Sequence, residues 1–128
     1  MKILNKIITV LNKKDGVLFS IINEYSYKID DFIKPVRFDI LLKKNGKNFG
    51  IIEVDGTQHY KYTPHFHNPP NDRKNNDAGY KIFLKLQEKD ILKNNAAKNI
   101  CGGKECLRLY DFSKELEISQ KIKEWIQE

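Results

Sequence analysis

Arginine is scarce in this chain. Among 23 basic residues only Arg37, Arg73 and Arg108 are arginines, and the rest are lysines. Arginine is the commonest side chain for reading base edges through paired hydrogen bonds, so its scarcity argues against extensive sequence readout of a nucleic acid. Cysteine is limited to two, Cys101 and Cys106 in CGGKEC, which excludes a disulfide-stapled scaffold and suits a reducing, intracellular setting. Long apolar runs are missing as well. None approaches the roughly 20 residues that span a bilayer, so no transmembrane helix or membrane partner is expected. The stretch MKILNKIITVLNKKDG breaks its apolar residues with Asn5, Lys6 and Asn12 and does not read as a secretory leader. Repeats and low-complexity linkers are absent too. At 40% hydrophobic and 31% charged content, the 128 residues read as one domain, 1–128, with its own core.

Lysine is what the chain has in plenty. A net charge of +6 attracts polyanions through their phosphates regardless of sequence, which makes nucleic acid a natural partner. Along the chain, Leu4, Ile7, Ile8 and Leu11 recur at helical spacing and predict an amphipathic helix that ends near Lys13 to Gly16. Residues 17–33 fit strand or helix. VRFDILLK (36–43) reads as a strand, KNGK carries an Asn-Gly hairpin signal, and FGIIEVD reads as the returning strand. A Pro- and Asn-rich loop follows, long enough to need a functional reason. Tyr80, Phe83, Leu84 and Ile91 predict a helix over 80–97, ECLRLYDF a short strand, and Ser113 the cap of a last helix. The order gives an α/β fold: a mixed β-sheet with a central hairpin, flanked by helices.

Within that hairpin stand three carboxylates. Asp39 lies inside the first strand, and Glu53 and Asp55, two apart, share a face of the second. Buried acids are costly unless paired or bound to a cation. Three that converge invite a divalent metal, and all-oxygen ligation suits Mg²⁺ with waters and phosphate completing the shell. His59, four residues past Asp55, is placed to move a proton near neutral pH. The blander reading pairs Asp39 with Arg37 or Lys43 and treats Asp55-Gly56 as turn chemistry.

RFDILL, IIEVDGTQHY, QEKDILKNNAAKN and LRLYDF, spread between Val36 and Phe112, together resemble the PD-(D/E)XK nuclease superfamily. The likeness is greatest to its very-short-patch-repair-like branch and to phage-type homing endonucleases with that core. It implies a restriction-endonuclease-like core and a metal-dependent DNA endonuclease. Asp39 matches the acid of the PD element and Glu53 that of E-x-K. Asp90 and Lys93 match a helical D-x-x-K, and Arg108 falls on the closing strand. The chain departs from the pattern where Asp55 stands in place of the E-x-K lysine, and where Pro35 precedes Val36 rather than the acid. The named branch also lacks that lysine and relies on a histidine near the DG turn, here His59. It often draws another acid from an amino-terminal helix, for which Glu24 is the nearest residue.

The resemblance implies that Asp39, Glu53 and Asp55 hold Mg²⁺, with Mn²⁺ as substitute, and that His59 acts as general base or acid. Lys93, with Lys61 and the adjacent position 62, would steady the phosphate; Gln58 would orient water or merely close a turn. Arg73 and Lys74 in the long loop would add contacts to double-stranded or branched DNA, and a homodimer is an option. The setting would be cytoplasmic, in association with nucleoid or viral DNA. The missing lysine keeps open a catalytically inactive, nucleic-acid-binding member of the same fold. A zinc module built from His65, His67, Cys101 and Cys106 matches no strong ligand spacing. An HNH nuclease using HFHN is disfavoured, because its histidines should frame a hairpin and helix.

The metal reading also makes a geometric demand. A strict two-residue Asn45-Gly46 hairpin would set Asp39 opposite Ile52 and turn it away from Glu53. One extra residue, from a three-residue loop or from a bulge near Gly50, would bring Asp39 and Glu53 together.

Overall fold

Helix α1 (Lys2–Leu11) follows the 3.6-residue spacing of its apolar positions and buries Leu4, Ile7 and Ile8. It leads, in a computed structural model that describes residues 1–14, 16–28, 35–111 and 113–128, into three antiparallel strands. These are β1 (Phe19–Tyr27), β2 (Val36–Lys44) and β3 (Lys47–Asp55). A 3-10 turn (Thr57–His59), a one-turn helix α2 (Pro64–His67) and the long helix α3 (Asn76–Ile100) come next, then β4 (Leu107–Tyr110) and α4 (Glu115–Gln127). The sheet order is β1-β2-β3-β4, with β4 parallel to β3. A parallel neighbour needs a crossover, and α3 lies in it.

The expected mixed sheet with a central hairpin between helices is observed. On one face, Leu4, Ile7 and Ile8 of α1 and Ile122 and Trp125 of α4 pack on Phe19, Ile40, Leu42, Ile52 and Leu109. On the other, Ala96 and Ala97 of α3 and the following Cys101 pack on Val36, Phe38, Leu41 and Ile51. Gly50 is required for the first layer, because a Cβ there would collide with the Trp125 ring.

Several boundaries differ from expectation. The ambiguous 17–33 segment holds strand β1; its part from 29 to 34 lies outside the described residues. Helix α3 starts at Asn76, before the apolar spacing sets in, because the Asn75 side chain accepts the Ala78 N–H and caps it. Ser113 does not cap α4. Its N–H is tied back to the Tyr110 carbonyl, Lys114 takes the cap position without a side-chain bond, and the first turn carries Glu115 and Glu117, whose charge suits a helix N-terminus.

The hairpin carries the one-residue offset that the metal reading demands. Asn45 and Gly46 form a two-residue turn with φ of 51° and 79°, and Lys44 pairs with Lys47. The register then shifts between Leu42 and Lys43, so that Leu42 faces Gly50, Leu41 faces Ile51 and Ile40 faces Ile52. Of the two devices foreseen, the chain uses the bulge. Continued one step, this register sets Asp39 opposite Glu53.

Candidate active site

Beyond Ile40 and Ile52 the strands stop pairing backbone to backbone, and two carboxylates replace the missing rungs. The Asp39 N–H donates to Glu53 Oε1 at 2.8 Å, and the Val54 N–H donates to Asp39 Oδ2 at 2.8 Å. Each acid thus satisfies an amide of the opposite strand. The alternation of β2 also breaks here: Val36, Phe38 and Leu41 pack toward α3, whereas Ile40 and Leu42 pack toward α1 and α4. Across the other edge of β2, Asn23–Ile40 and Tyr25–Phe38 flank a skipped pair, which places Glu24 opposite Asp39. Glu24, the nearest residue to the acid that the resembled branch draws from an amino-terminal helix, therefore sits on strand β1 instead, exposed and with a left-handed φ of 52°. A non-glycine residue in that region stores strain, and here the strain lies beside an acid of the site.

Glu53 is buried, and Lys93 Nζ lies 3.2 Å from its Oε2 and 5.2 Å from the centroid of the Phe38 ring. Burial raises the Glu53 pKa above the ordinary carboxylate value of 4.5, even though the Lys93 charge works the other way. Lysine is missing from the E-x-K position along the strand. The structure brings one to the same carboxylate from α3, on the helix face that also carries Asp90 and Asn94 (i, i+3, i+4). A carboxyl with a raised folded pKa stabilises the fold fully below its unfolded pKa, and that contribution is lost as pH rises through the folded value. The stability difference between wild type and Glu53→Gln should therefore shift against wild type as pH climbs upward from about 4.5. Urea unfolding of both proteins across that range checks the sign.

Asp55, expected as a third metal ligand, is engaged elsewhere. It is 1% exposed, and Arg108 Nη1 lies 3.0 and 2.8 Å from its two oxygens, while the Tyr60 hydroxyl donates to Oδ2 at 2.6 Å. Burial opposes the Arg108 charge, but the Asp55 hydrogen bonds and the nearby Asp55 and Asp90 charges outweigh it and raise the pKa. Burial and the bond to Asp55 likewise push the Tyr60 hydroxyl well up, so it remains a donor. Arg108 Nε also donates to Asn94 Oδ1 at 2.8 Å. Among the described residues, no three or more His, Cys, Asp or Glu side chains gather as a metal-binding group. At the open end of the hairpin, Asp39 and Glu53 each bond a backbone amide of the opposite strand.

His59 Nδ1 lies 2.8 Å from Asp90 Oδ2 and 3.9 Å from Asp55 Oδ1. A carboxylate can only accept, so the neutral ring carries its proton on Nδ1 and presents the lone pair of Nε2. The sequence places Asp90 in a helical motif; its bond to the ring shows only in three dimensions. Gln58 folds its side chain against Gly56, which has room for it because it lacks a Cβ.

The Pro-rich loop is braced from within. His67 is buried; Nδ1 accepts the Thr63 N–H, so Nε2 bears the proton and donates to the Gln58 carbonyl. Buried Asn68 accepts from the Tyr62 hydroxyl and donates to the Arg73 carbonyl and Asn76 Oδ1. Position 62 thus supplies a ring and a hydroxyl to this knot rather than a second cation beside exposed Lys61. Arg73, expected to add a contact to DNA, spends Nη1 on the carbonyls of His65 and Asn68; Lys74 is exposed. Cys101 packs under α3, where burial lifts its pKa to about 11, and Cys106 is lifted to about 12. With both His67 nitrogens on backbone groups, the four zinc candidates are not drawn together. No helix among the described residues is long and apolar enough to cross a membrane. No protein-family model, curated protein or solved structure matches the chain.

Proposed function

We propose that the chain is a metal-dependent DNA endonuclease with a restriction-endonuclease-like core. The observation that carries this reading is the bulged hairpin, which sets Asp39 against Glu53 and lets Lys93 reach Glu53 from α3. Oxygen donors of this kind suit a hard divalent cation. Asp39 is exposed and its Oδ1 has no hydrogen-bond partner among the described residues, whereas a cation would have to share buried Glu53 with the Asp39 N–H and Lys93, which engage its two oxygens. Asp39 and Glu53 would hold Mg²⁺ or Mn²⁺, which when bound supplies charge neutralisation at the scissile phosphate and a more acidic water.

The chain's own groups do the rest. Lys93 orients Glu53 and sets a positive charge where a phosphate would approach. Asp90 fixes the His59 ring, leaving Nε2 to take a proton from water or return one to the leaving oxygen. Arg108 and Asp55 hold β3, β4 and α3 in register around these groups rather than touching substrate. The exposed lysines draw the DNA in by its phosphates. An inactive DNA-binding protein, kept open by the missing E-x-K lysine, is further favoured by the engagement of Asp55 in an ion pair.

Incubation with supercoiled plasmid and with branched DNA, in Mg²⁺, in Mn²⁺ and in EDTA, tests the proposal. Metal-dependent nicking or linearisation is expected. Binding without cleavage in any metal would leave the inactive reading. Affinity should fall steeply with salt, with a log–log slope of about −0.9 per phosphate neutralised on duplex DNA, and fluorescence anisotropy across a salt series measures it.

A further inference from the structure

The most conspicuous unexplained feature lies on the opposite side of the sheet from the acids. Helices α1 and α4 pack side by side there, and between them runs a groove of about 490 Å³. Its walls are mainly Ile3, Ile7, Val10 and Leu11 of α1 and Leu116 and Ile126 of α4. Two of these stand out of the surface: Val10 is 62% exposed and Leu116 is 86% exposed. Water-exposed apolar side chains beside an apolar groove are a hole and its knobs on a single face.

We infer that this face is the interface of a homodimer, with each protomer seating the partner's Leu116 and the partner's Val10 in its own groove. The commitment to a second copy rests on symmetry and charge. A two-fold interface must be self-complementary, with each contact made twice, and a surface that carries both hole and knob meets that demand. The charged rim meets it too. Helix α1 contains no acid and contributes Lys6, whereas the first turn of α4 is acidic, with Glu115 on the groove. No ion pair among the described residues engages Lys6, Glu115 or Lys123. Laid across a two-fold axis, α1 of one protomer against α4 of its partner, Lys6 meets the partner's Glu115, and the pair recurs at the other end. DNA is a poorer occupant: Lys6 and Lys123 on the groove could meet phosphates, but its mainly apolar walls would stay uncovered. Glu53 meets Lys93 on the α3 side, so, on the nuclease reading, the two sites would face outward, back to back.

Association is read without DNA or metal, so it stands or falls apart from cleavage. Sedimentation equilibrium on the full chain should show a dimer with a dissociation constant of about micromolar or tighter. Leu116→Glu, at a position too exposed to endanger folding, should weaken it about ten-fold or more. Lys6→Glu and Glu115→Lys should each weaken the dimer, and the double exchange should restore it, with circular dichroism confirming that every variant is folded. A wild type that remains monomeric to about 100 µM would overturn the inference. So would a dimer indifferent to Leu116→Glu, or a monomer that binds lipid vesicles through this groove.

Discussion

Glu53→Gln should abolish DNA cleavage while binding is kept or strengthened. The substitution preserves the side chain's shape and its capacity to accept the Asp39 N–H, now 2.8 Å from Oε1, so the open end of the hairpin should survive. It removes one of the two candidate ligands and with it charge that would hold a divalent cation. A loss of about 1,000-fold in rate is expected, equivalent to about 4 kcal/mol of transition-state stabilisation. Binding moves the other way, because a negative charge beside an incoming phosphate is gone. Plasmid nicking and anisotropy on the same preparation separate the two effects. A variant that cuts at the wild-type rate would sink the assignment of the site.

Arg108→Ala should produce the largest loss of stability of any single change at the site. Asp55 is 1% exposed and relies on Arg108 for contacts to both oxygens; the Tyr60 hydroxyl alone cannot offset a buried charge. Breaking a buried pair by removing one partner costs about 3–5 kcal/mol. The damage should be relieved by Asp55→Asn in the same chain, which leaves no orphan charge. Arg108→Lys should rescue only partly, since a lysine has no second nitrogen to reach Asn94 while bonding Asp55. Urea midpoints of the three variants test the ordering.

The hairpin was legible because its information is local. An Asn-Gly turn sets a count, and the count shows that Asp39 and Glu53 can meet only through one added residue. The helical placement of Asp90 and Lys93 was legible for the same reason, since three residues apart on a helix is one face. What escaped depends on contacts distant in sequence. Arg108 lies 53 residues from Asp55, and nothing near either residue announces their pairing. His59 and Asp90 are 31 apart, and only the packing of the 3-10 turn on α3 joins them. Arg73 and His67 look like binding residues in isolation because their polar groups are potent. The fold uses them on backbone carbonyls and amides that a Pro-rich loop cannot pair by regular structure. Ser113 misled through the strength of its capping preference, which a backbone bond to Tyr110 overrode.

The carboxylate clasp between β2 and β3 ties the chemistry of the site to what its lineage can tolerate. Asp39 and Glu53 are missing rungs of a ladder as well as candidate ligands, so losing them entirely would leave the Asp39 and Val54 amides without acceptors. Drift toward alanine or apolar residues there would unravel the hairpin end and be removed whether or not cleavage mattered. Drift to asparagine or glutamine would keep the rungs and discard the charge. A descendant that had given up catalysis would thus be marked by amides at these two positions rather than by small side chains, and its fold would carry the outline of the site after its chemistry had gone.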